Sequence, residues 1–177
     1  VVLTHAYFLC DDVREKKIMK PYPPLGLLCL AAWLDQHGVE NTVWDSTFSS
    51  FEAQKAWLLE NRPQILALYA NLMTKIRLLA LIRFVRTHPA LTHTTIIVGG
   101  PDVTHNIAAY LSEGADALAV GEGEQTLLEW TQAVLQNPHD RTAWHRIEGL
   151  AFRDTESNLY RNAERAKIKN LDLLPLP

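Results

Sequence analysis

The stretch Thr94-Thr95-Ile96-Ile97-Val98-Gly99-Gly100-Pro101-Asp102 decides the fold, because it joins the most β-branched run of the chain to a turn with two adjacent glycines. β-Branched residues favour strands. A helical pattern follows at residues 104–112, with Gly114 placed to cap it. The stretch therefore predicts one strand–turn–helix unit of a parallel α/β sheet.

Short apolar runs and longer helical patterns alternate in both directions from this stretch. Runs such as residues 65–69 lack polar/apolar alternation, which indicates strands covered on both faces. The predicted fold class is therefore α/β, a doubly wound, flavodoxin-like or Rossmann-like five-stranded parallel sheet. Strands are expected at residues 1–4, 42–44, 64–70, 94–98 and 117–120, and helices at residues 25–37, 52–61, 74–88, 104–112 and 124–136.

Two regions depart from this repeat. The polar stretch at residues 5–24 is expected to be a long loop, and loops of that length are usually functional or mobile. Near the other end, residues 148–153 and 158–161 predict a β-hairpin appendage, and the Leu- and Pro-rich residues 170–177 predict a linker. We therefore expect an α/β domain over residues 1–137 and, over residues 138–177, a hairpin and connector leading toward a catalytic domain outside this sequence.

Composition excludes several classes of protein. Of the 177 residues, 47% are hydrophobic and 21% are charged, which suffices for a full core. The net charge of −3 predicts no nucleic-acid partner, and no apolar run reaches the roughly 18 residues that a membrane span needs. Cys10 and Cys29 lack paired spacing, which favours a reducing cytoplasm over a disulfide scaffold. The glycine fingerprints of dinucleotide and nucleoside-triphosphate sites are missing.

The candidate ligand site lies where strands end, because doubly wound sheets bind ligands at the carboxyl edge. Two of the loops there are rich in glycine, which leaves room for a ligand near the backbone and permits positive φ. Tight turns alone would also account for Gly99 and Gly100. No catalytic residue and no metal ligand is expected. The candidate cofactor-binding residues are Tyr69, Ala70, Asn71, Leu72, Met73, Gly99, Gly100, Pro101, Asp102, Gly121, Glu122, Gly123 and Glu124.

The polar residues of these loops have alternative interpretations. Glu122 and Glu124 could form a carboxylate pair for acid/base catalysis, but acids at a helix start more often complement the helix dipole. Asp102 and His105 could be ligands, although helix capping and solvent exposure are the more common roles at this spacing. Arg86, with two neighbouring arginines, is expected on the solvated side of its helix.

Several segments, in order along the chain, resemble the cobalamin-binding module that precedes a radical SAM catalytic domain. Each motif is weak alone, but together they span nearly the whole chain. The segments are the Pro-Pro-Leu-Gly-Leu helix start at Pro23-Pro24-Leu25-Gly26-Leu27, the turn Gly99-Gly100-Pro101-Asp102, Gly114-Ala115-Asp116 with Gly121-Glu122-Gly123-Glu124, the hairpin start Gly149-Leu150-Ala151-Phe152-Arg153, and the connector at residues 170–177.

The resemblance implies a cobalamin whose corrin ring lies over the carboxyl edge, with the nucleotide tail inserted beside the strands. It also implies a radical SAM domain in the same parent chain, of the methyltransferase or cyclase type, which would hold the 4Fe-4S cluster and S-adenosylmethionine and act on a small-molecule substrate. The Asp-x-His-x-x-Gly run of better-known cobalamin domains is missing, because His5 lacks Asp and Gly at the required offsets. The resemblance therefore implies no protein ligand to cobalt.

Two alternatives remain open. One is a degenerate module that keeps the fold, has lost cobalamin and serves only for docking. The other is a flavodoxin-like or receiver-like module, since fold does not fix function. A receiver needs an exposed Asp after the third strand, where this chain has Tyr69-Ala70-Asn71. A flavin module needs a phosphate loop after the first strand, where residues 5–24 are charged and poor in Ser and Thr.

Overall fold

The computed structural model describes residues 1–138 and 140–177. Within these ranges seven strands form one sheet in the order β2-β1-β3-β4-β5-β6-β7. The first five strands are parallel, and the last two are antiparallel. The strands are β1 (Val2–His5), β2 (Thr42–Trp44), β3 (Ile65–Tyr69), β4 (Thr95–Gly99), β5 (Ala117–Ala119), β6 (Leu150–Arg153) and β7 (Leu159–Arg161).

The five-stranded parallel sheet predicted from the sequence is thus confirmed, and the hairpin adds to it. Sequence analysis treated the hairpin as an appendage, but β6 pairs with β5 in the register Leu118 to Ala151. The two strands of the hairpin therefore continue the same sheet. The reason is physical: the edge of β5 has free backbone N–H and C=O groups, and pairing with β6 satisfies them.

Six α-helices surround the sheet within the described residues. They are α1 (Val13–Ile18), α2 (Leu25–Gln36), α3 (Phe51–Asn61), α4 (Lys75–Thr87), α5 (Val103–Glu113) and α6 (Glu124–Gln136). Helix α1 lies inside the stretch expected to be a loop, because Asp12 accepts hydrogen bonds from the backbone N–H groups of Arg14 and Glu15 and so caps a short helix.

Two cores cover the two faces of the sheet. Alternate residues of a strand point to opposite faces, so Leu66 and Leu68 pack toward α3, α4 and α5 while Ile65 and Ala67 pack toward α2 and α6. The second core also contains three aromatic residues in contact: Trp144 packs at a tilt against Trp130 and edge to face against Phe152. A sheet with helices on both faces leaves only its edges open to ligands.

The Gly-Ala-Asp motif at residues 114–116 has a structural role at the opposite, amino edge of the sheet. Asp116 accepts hydrogen bonds from the backbone of Ile96 at 2.8 Å, from Arg141 at 3.1 Å and from Arg86. Arg86 also donates to the carbonyl oxygens of Gly114 and Thr94. The placement of Arg86 on the solvated side of its helix is therefore wrong: this side chain is half-buried and fastens α4 to two loops.

Candidate functional site

A mostly apolar cavity of about 230 Å³ opens at the carboxyl edge of the sheet, between α2 and α6. The order of the parallel strands reverses between β1 and β3, where such sheets form a ligand-binding crevice, and the cavity lies beside this point, over β3, β4 and β5. The cavity is lined by strand residues Ala67, Leu68, Tyr69, Ile97, Gly99 and Ala119, by helix residues Gly26, Leu27, Leu30, Glu124 and Leu127, and by loop residues Gly100, Gly121, Glu122 and Gly123.

Seven of the thirteen residues expected at the cofactor site line this cavity. They are Tyr69, Gly99, Gly100, Gly121, Glu122, Gly123 and Glu124. The β3–α4 loop contributes little to it: Ala70 is buried in the core, Leu72 and Met73 are exposed, and Asn71 lines a neighbouring cavity. The β4–α5 loop turns away after Gly100, so Pro101 and Asp102 lie outside the cavity.

Sequence analysis missed the helical wall of the site. Gly26, Leu27 and Leu30 of α2 face the cavity. Their helix start was singled out as a motif, but none of its residues was assigned to a site. Gly26 carried a usable signal, because glycine inside a helix costs about 0.5–1 kcal/mol and is retained where something approaches the backbone closely.

The two adjacent glycine positions of the β4–α5 turn differ in whether the backbone and its neighbours require glycine there. Gly100 has φ +107°, and a Cβ built there would overlap the carbonyl oxygen of Ala70 and lie 3.1 Å from the Tyr69 ring. A Cβ at Gly99 would lie 3.6 Å from the Cβ of Ala119, an ordinary contact. The fold therefore needs glycine at position 100, whereas position 99 has room for a methyl group only at the expense of the cavity.

A second cavity of about 250 Å³ adjoins the first, and the two share Gly26, Leu27 and Tyr69. Its lining is more polar and includes His5, Thr47, Asn71 and Thr74. The Tyr69 ring stands between the two cavities, close to Gly26 on one side and to Gly100 on the other. The carboxyl edge thus offers one continuous depression with an apolar and a polar half.

His5 anchors the polar half through a closed set of hydrogen bonds. Its Nδ1 accepts from the backbone N–H of Tyr7 at 3.1 Å, so the ring proton sits on Nε2, which donates to Asp45 at 2.9 Å. The Ser46 hydroxyl, fully buried, lies 2.9 Å from Nδ1. Burial lowers the pKa of His5, although the hydrogen bond to Asp45 opposes the shift. Both ring nitrogens are therefore already engaged.

Asp102 has two structural partners and does not cap α5. Its carboxylate, 9% exposed, accepts a hydrogen bond from the Tyr110 hydroxyl at 2.7 Å and lies 3.6 Å from the Lys75 ammonium. It makes no side-chain cap of α5, so the capping interpretation is wrong. Burial, together with the adjacent Asp102, raises the pKa of Tyr110. His105 is exposed, as the alternative interpretation expected.

The acidic residues of the β5–α6 loop both face the cavity but differ in their contacts. Glu124 lies in the first turn of α6, where a carboxylate complements the helix dipole. Glu122 accepts a hydrogen bond from the backbone N–H of Ile168 at 2.6 Å. The described residues contain no group of three or more His, Cys, Asp or Glu side chains that could hold a metal ion. Nor do they contain a helix long and apolar enough to cross a membrane.

The B12 binding domain family matches residues 16–130, which is well over half of the chain. The chain therefore belongs to the B12-binding domain family, and both the resemblance drawn from the sequence and its cofactor, cobalamin, are confirmed. The match includes the α2 start and both glycine-containing loops of the cavity.

Solved structures of one enzyme have the same fold. The cobalamin-dependent S-adenosylmethionine radical enzyme OxsB with aqua-cobalamin bound is 17% identical, with a TM-score of 0.71. The form that also binds S-adenosylmethionine is 17% identical with a TM-score of 0.72, and the apo form is 14% identical with a TM-score of 0.68. Each match covers 94% of this chain and 22% of OxsB. No curated protein sequence is significantly similar to the chain.

Proposed function

We propose that this chain holds cobalamin at the carboxyl edge of its sheet, with the nucleotide tail in the cavity between α2 and α6. The observation that carries the proposal is Gly99. Neither its backbone nor its neighbours require glycine, yet glycine weakens a strand by about 0.5–1 kcal/mol relative to alanine. Its bare backbone forms part of the cavity lining, where a flat aromatic base would need the space.

The cavity suits the aromatic base that ends the cobalamin tail. Leu27, Leu30, Ile97 and Leu127 give it apolar walls, so burial of a flat ring would be favourable by about 25 cal/mol per Å² of apolar surface. The phosphate of the tail is anionic and would be received better by the start of α2 than by that of α6. The first turn of α6 contains Glu124, whereas the first turn of α2 contains no acid.

We further propose that the protein provides no histidine ligand to cobalt. His5 is the histidine nearest the end of β1, and Asp45 and the backbone of Tyr7 occupy its two ring nitrogens. Freeing either nitrogen would break a hydrogen bond of a buried ring, which costs about 0.5–1.5 kcal/mol. The cofactor would supply the cobalt chemistry, such as carrying a methyl group, while the residues of the chain bind and orient it.

The proposed parent protein is a radical SAM enzyme of the methyltransferase or cyclase type, acting on a small molecule in the cytoplasm. Support comes from the likeness to OxsB and from the free Cys10 and Cys29, which suit a reducing compartment. The catalytic domain of the same parent chain would hold the 4Fe-4S cluster and S-adenosylmethionine. Finding a Cys-x-x-x-Cys-x-x-Cys motif in the coding sequence next to this domain tests that assignment, and a different enzyme domain there would contradict it.

Two corrinoids test the proposed tail site directly. Hydroxocobalamin carries the nucleotide tail, and cobinamide lacks it. We expect cobalamin to bind with a change in its absorbance spectrum, and cobinamide to bind at least about tenfold more weakly, which corresponds to 1.4 kcal/mol. Equal affinity would place the tail outside the cavity. Failure of both to bind at high concentration would favour the degenerate docking module.

A further inference from the structure

The segment of residues 162–168, here termed the strap, leaves β7 and runs back along α6 to the cavity. Its contacts with the domain recur at every third residue: Asn162, Arg165 and Ile168 are half-buried, and the residues between them are exposed. An extended chain with a threefold repeat presents one side to the body of the protein. The strap is therefore held on the surface at these three residues and by a backbone hydrogen bond from Gly149 to the carbonyl oxygen of Ala163 at 2.8 Å.

The first two points fix the strap to the outer side of the domain. The Asn162 amide donates to the carbonyl oxygens of Trp144 at 2.6 Å and Ile147 at 2.8 Å. Arg165 donates to the Thr126 hydroxyl at 2.9 Å and to the Glu129 carboxylate at 2.5 Å, both on α6. These contacts direct the strap toward the start of α6.

The third point lies at the cavity itself. The backbone N–H of Ile168 donates to Glu122 at 2.6 Å, and Glu122 is part of the cavity wall. Glycines flank Glu122 on both sides, and Gly121 has φ +92° with no atom within 4 Å of a built Cβ. A loop with two glycines has many accessible conformations. The hydrogen bond from the strap selects one in which Glu122 faces both the strap and the cavity.

We propose that Glu122 is a positioning residue through which docking of the strap and occupancy of the cavity stabilise each other. The proposal rests on the proposed function in taking cobalamin as the occupant. Ordering the loop costs conformational entropy, and either the docked strap or the bound cofactor orders it. Whichever event comes second therefore involves a loop that is already ordered. Each event therefore makes the other more favourable, and the factor by which cofactor binding favours docking equals the factor by which docking favours binding.

The strap is suited to this response because no apolar core holds it. None of its residues is fully buried, and its contacts are hydrogen bonds and one ion pair, between Arg165 and Glu129. Segments of this kind open with free energies far below that of global unfolding. Its docked population therefore changes measurably when one contact is strengthened.

Trypsin provides the readout, because the bond after Arg165 lies within the strap. At a low ratio of protease to protein, the cleavage rate follows the equilibrium population of the open segment. We expect hydroxocobalamin to slow cleavage between Arg165 and Ala166 by about fivefold or more, the lower end of typical couplings between sites. The fragments are identified by mass, and cobalamin affinity is measured in parallel by absorbance.

Two proline variants each remove one backbone N–H at the end of the strap without altering a residue that lines the cavity. Ile168→Pro removes the N–H that donates to Glu122, whereas Lys169→Pro removes an N–H for which the described residues provide no acceptor. We expect Ile168→Pro to lose the protection by cobalamin and to bind cobalamin more weakly by the same factor. Lys169→Pro should behave as the unmodified chain. Arg165→Ala, read by cobalamin affinity alone, should weaken binding in the same direction.

The outcomes separate the two proposals. If the unmodified chain binds cobalamin and Ile168→Pro binds it equally well, with cleavage unaffected by the cofactor, the coupling is wrong and the proposed function stands. Equal losses in Ile168→Pro and Lys169→Pro would also overturn the coupling, since they would reflect a general effect of proline. If the unmodified chain binds no cobalamin, both proposals are wrong.

Discussion

The carboxyl edge of the sheet has two halves of opposite character. At the ends of β1 and β2 the depression has a polar wall, in which His5 bonds to Asp45 and Ser46. At the ends of β4 and β5 its wall is mostly apolar, and Gly99 and Gly121 line it. Polar residues that bond to one another at such an edge therefore do not by themselves indicate a ligand. A glycine that packing does not require does indicate one.

Gly100 lies on the boundary between these halves and gives the largest expected effect. Gly100→Ala places a Cβ against the carbonyl oxygen of Ala70 in a backbone with φ +107°. Strain at positive φ costs about 1–3 kcal/mol and overpacking a similar amount, so we expect a loss of about 2–5 kcal/mol in the free energy of unfolding. Urea denaturation followed by circular dichroism measures it. A variant as stable as the unmodified chain would show that this turn is not rigid.

The same substitution one residue earlier should act on binding instead of folding. Gly99→Ala fits the strand, since its Cβ would make an ordinary contact with Ala119, but it fills part of the cavity. We expect the affinity for hydroxocobalamin to fall about tenfold, equivalent to 1.4 kcal/mol. The free energy of unfolding should stay within about 1 kcal/mol of the unmodified value. Unchanged affinity in a folded Gly99→Ala protein would remove the argument that this glycine serves the cofactor.

The polar half should give the smallest effect, a change in the free energy of unfolding that is confined to acid pH. Burial holds the pKa of His5 below its ordinary value of 6.5, so the unfolded chain takes up a proton there before the folded one does. Its contribution to stability is complete above pH 6.5 and is lost as the pH falls toward the folded pKa. One proton gives a slope of at most about 1.4 kcal/mol per pH unit.

Urea denaturation between pH 5 and 8 measures this slope. The comparison is between His5→Gln and His105→Gln, a control at an exposed histidine. We expect His5→Gln to flatten the dependence on the acid side, and His105→Gln to retain it. Equal slopes in the two variants would show that His5 titrates in the same way in the folded and unfolded chain.

Local patterns in the sequence were sufficient for the parallel sheet and for about half of the residues that line the cavity. Strand β4 is rich in β-branched residues, and the glycine-containing loops directly follow strands. Each of these features is therefore specified by a few neighbouring residues. Asp102 could not be placed from its neighbours, because its partners Tyr110 and Lys75 lie on two different helices. The pairing of β6 with β5 and the bond between Ile168 and Glu122 join residues far apart in the chain, and no local pattern specifies such contacts.

The pairing of the hairpin with β5 has a consequence for how the protein behaves at high concentration. It moves the free edge of the sheet from β5 (Ala117–Ala119), whose three residues are apolar and buried, to β7 (Leu159–Arg161), whose three residues are exposed and end in a cation. The opposite edge, β2 (Thr42–Trp44), is equally short. Short, charged edges are poor templates for strand addition by another molecule. The hairpin therefore protects the domain against aggregation, and a chain shortened before β6 would lose that protection.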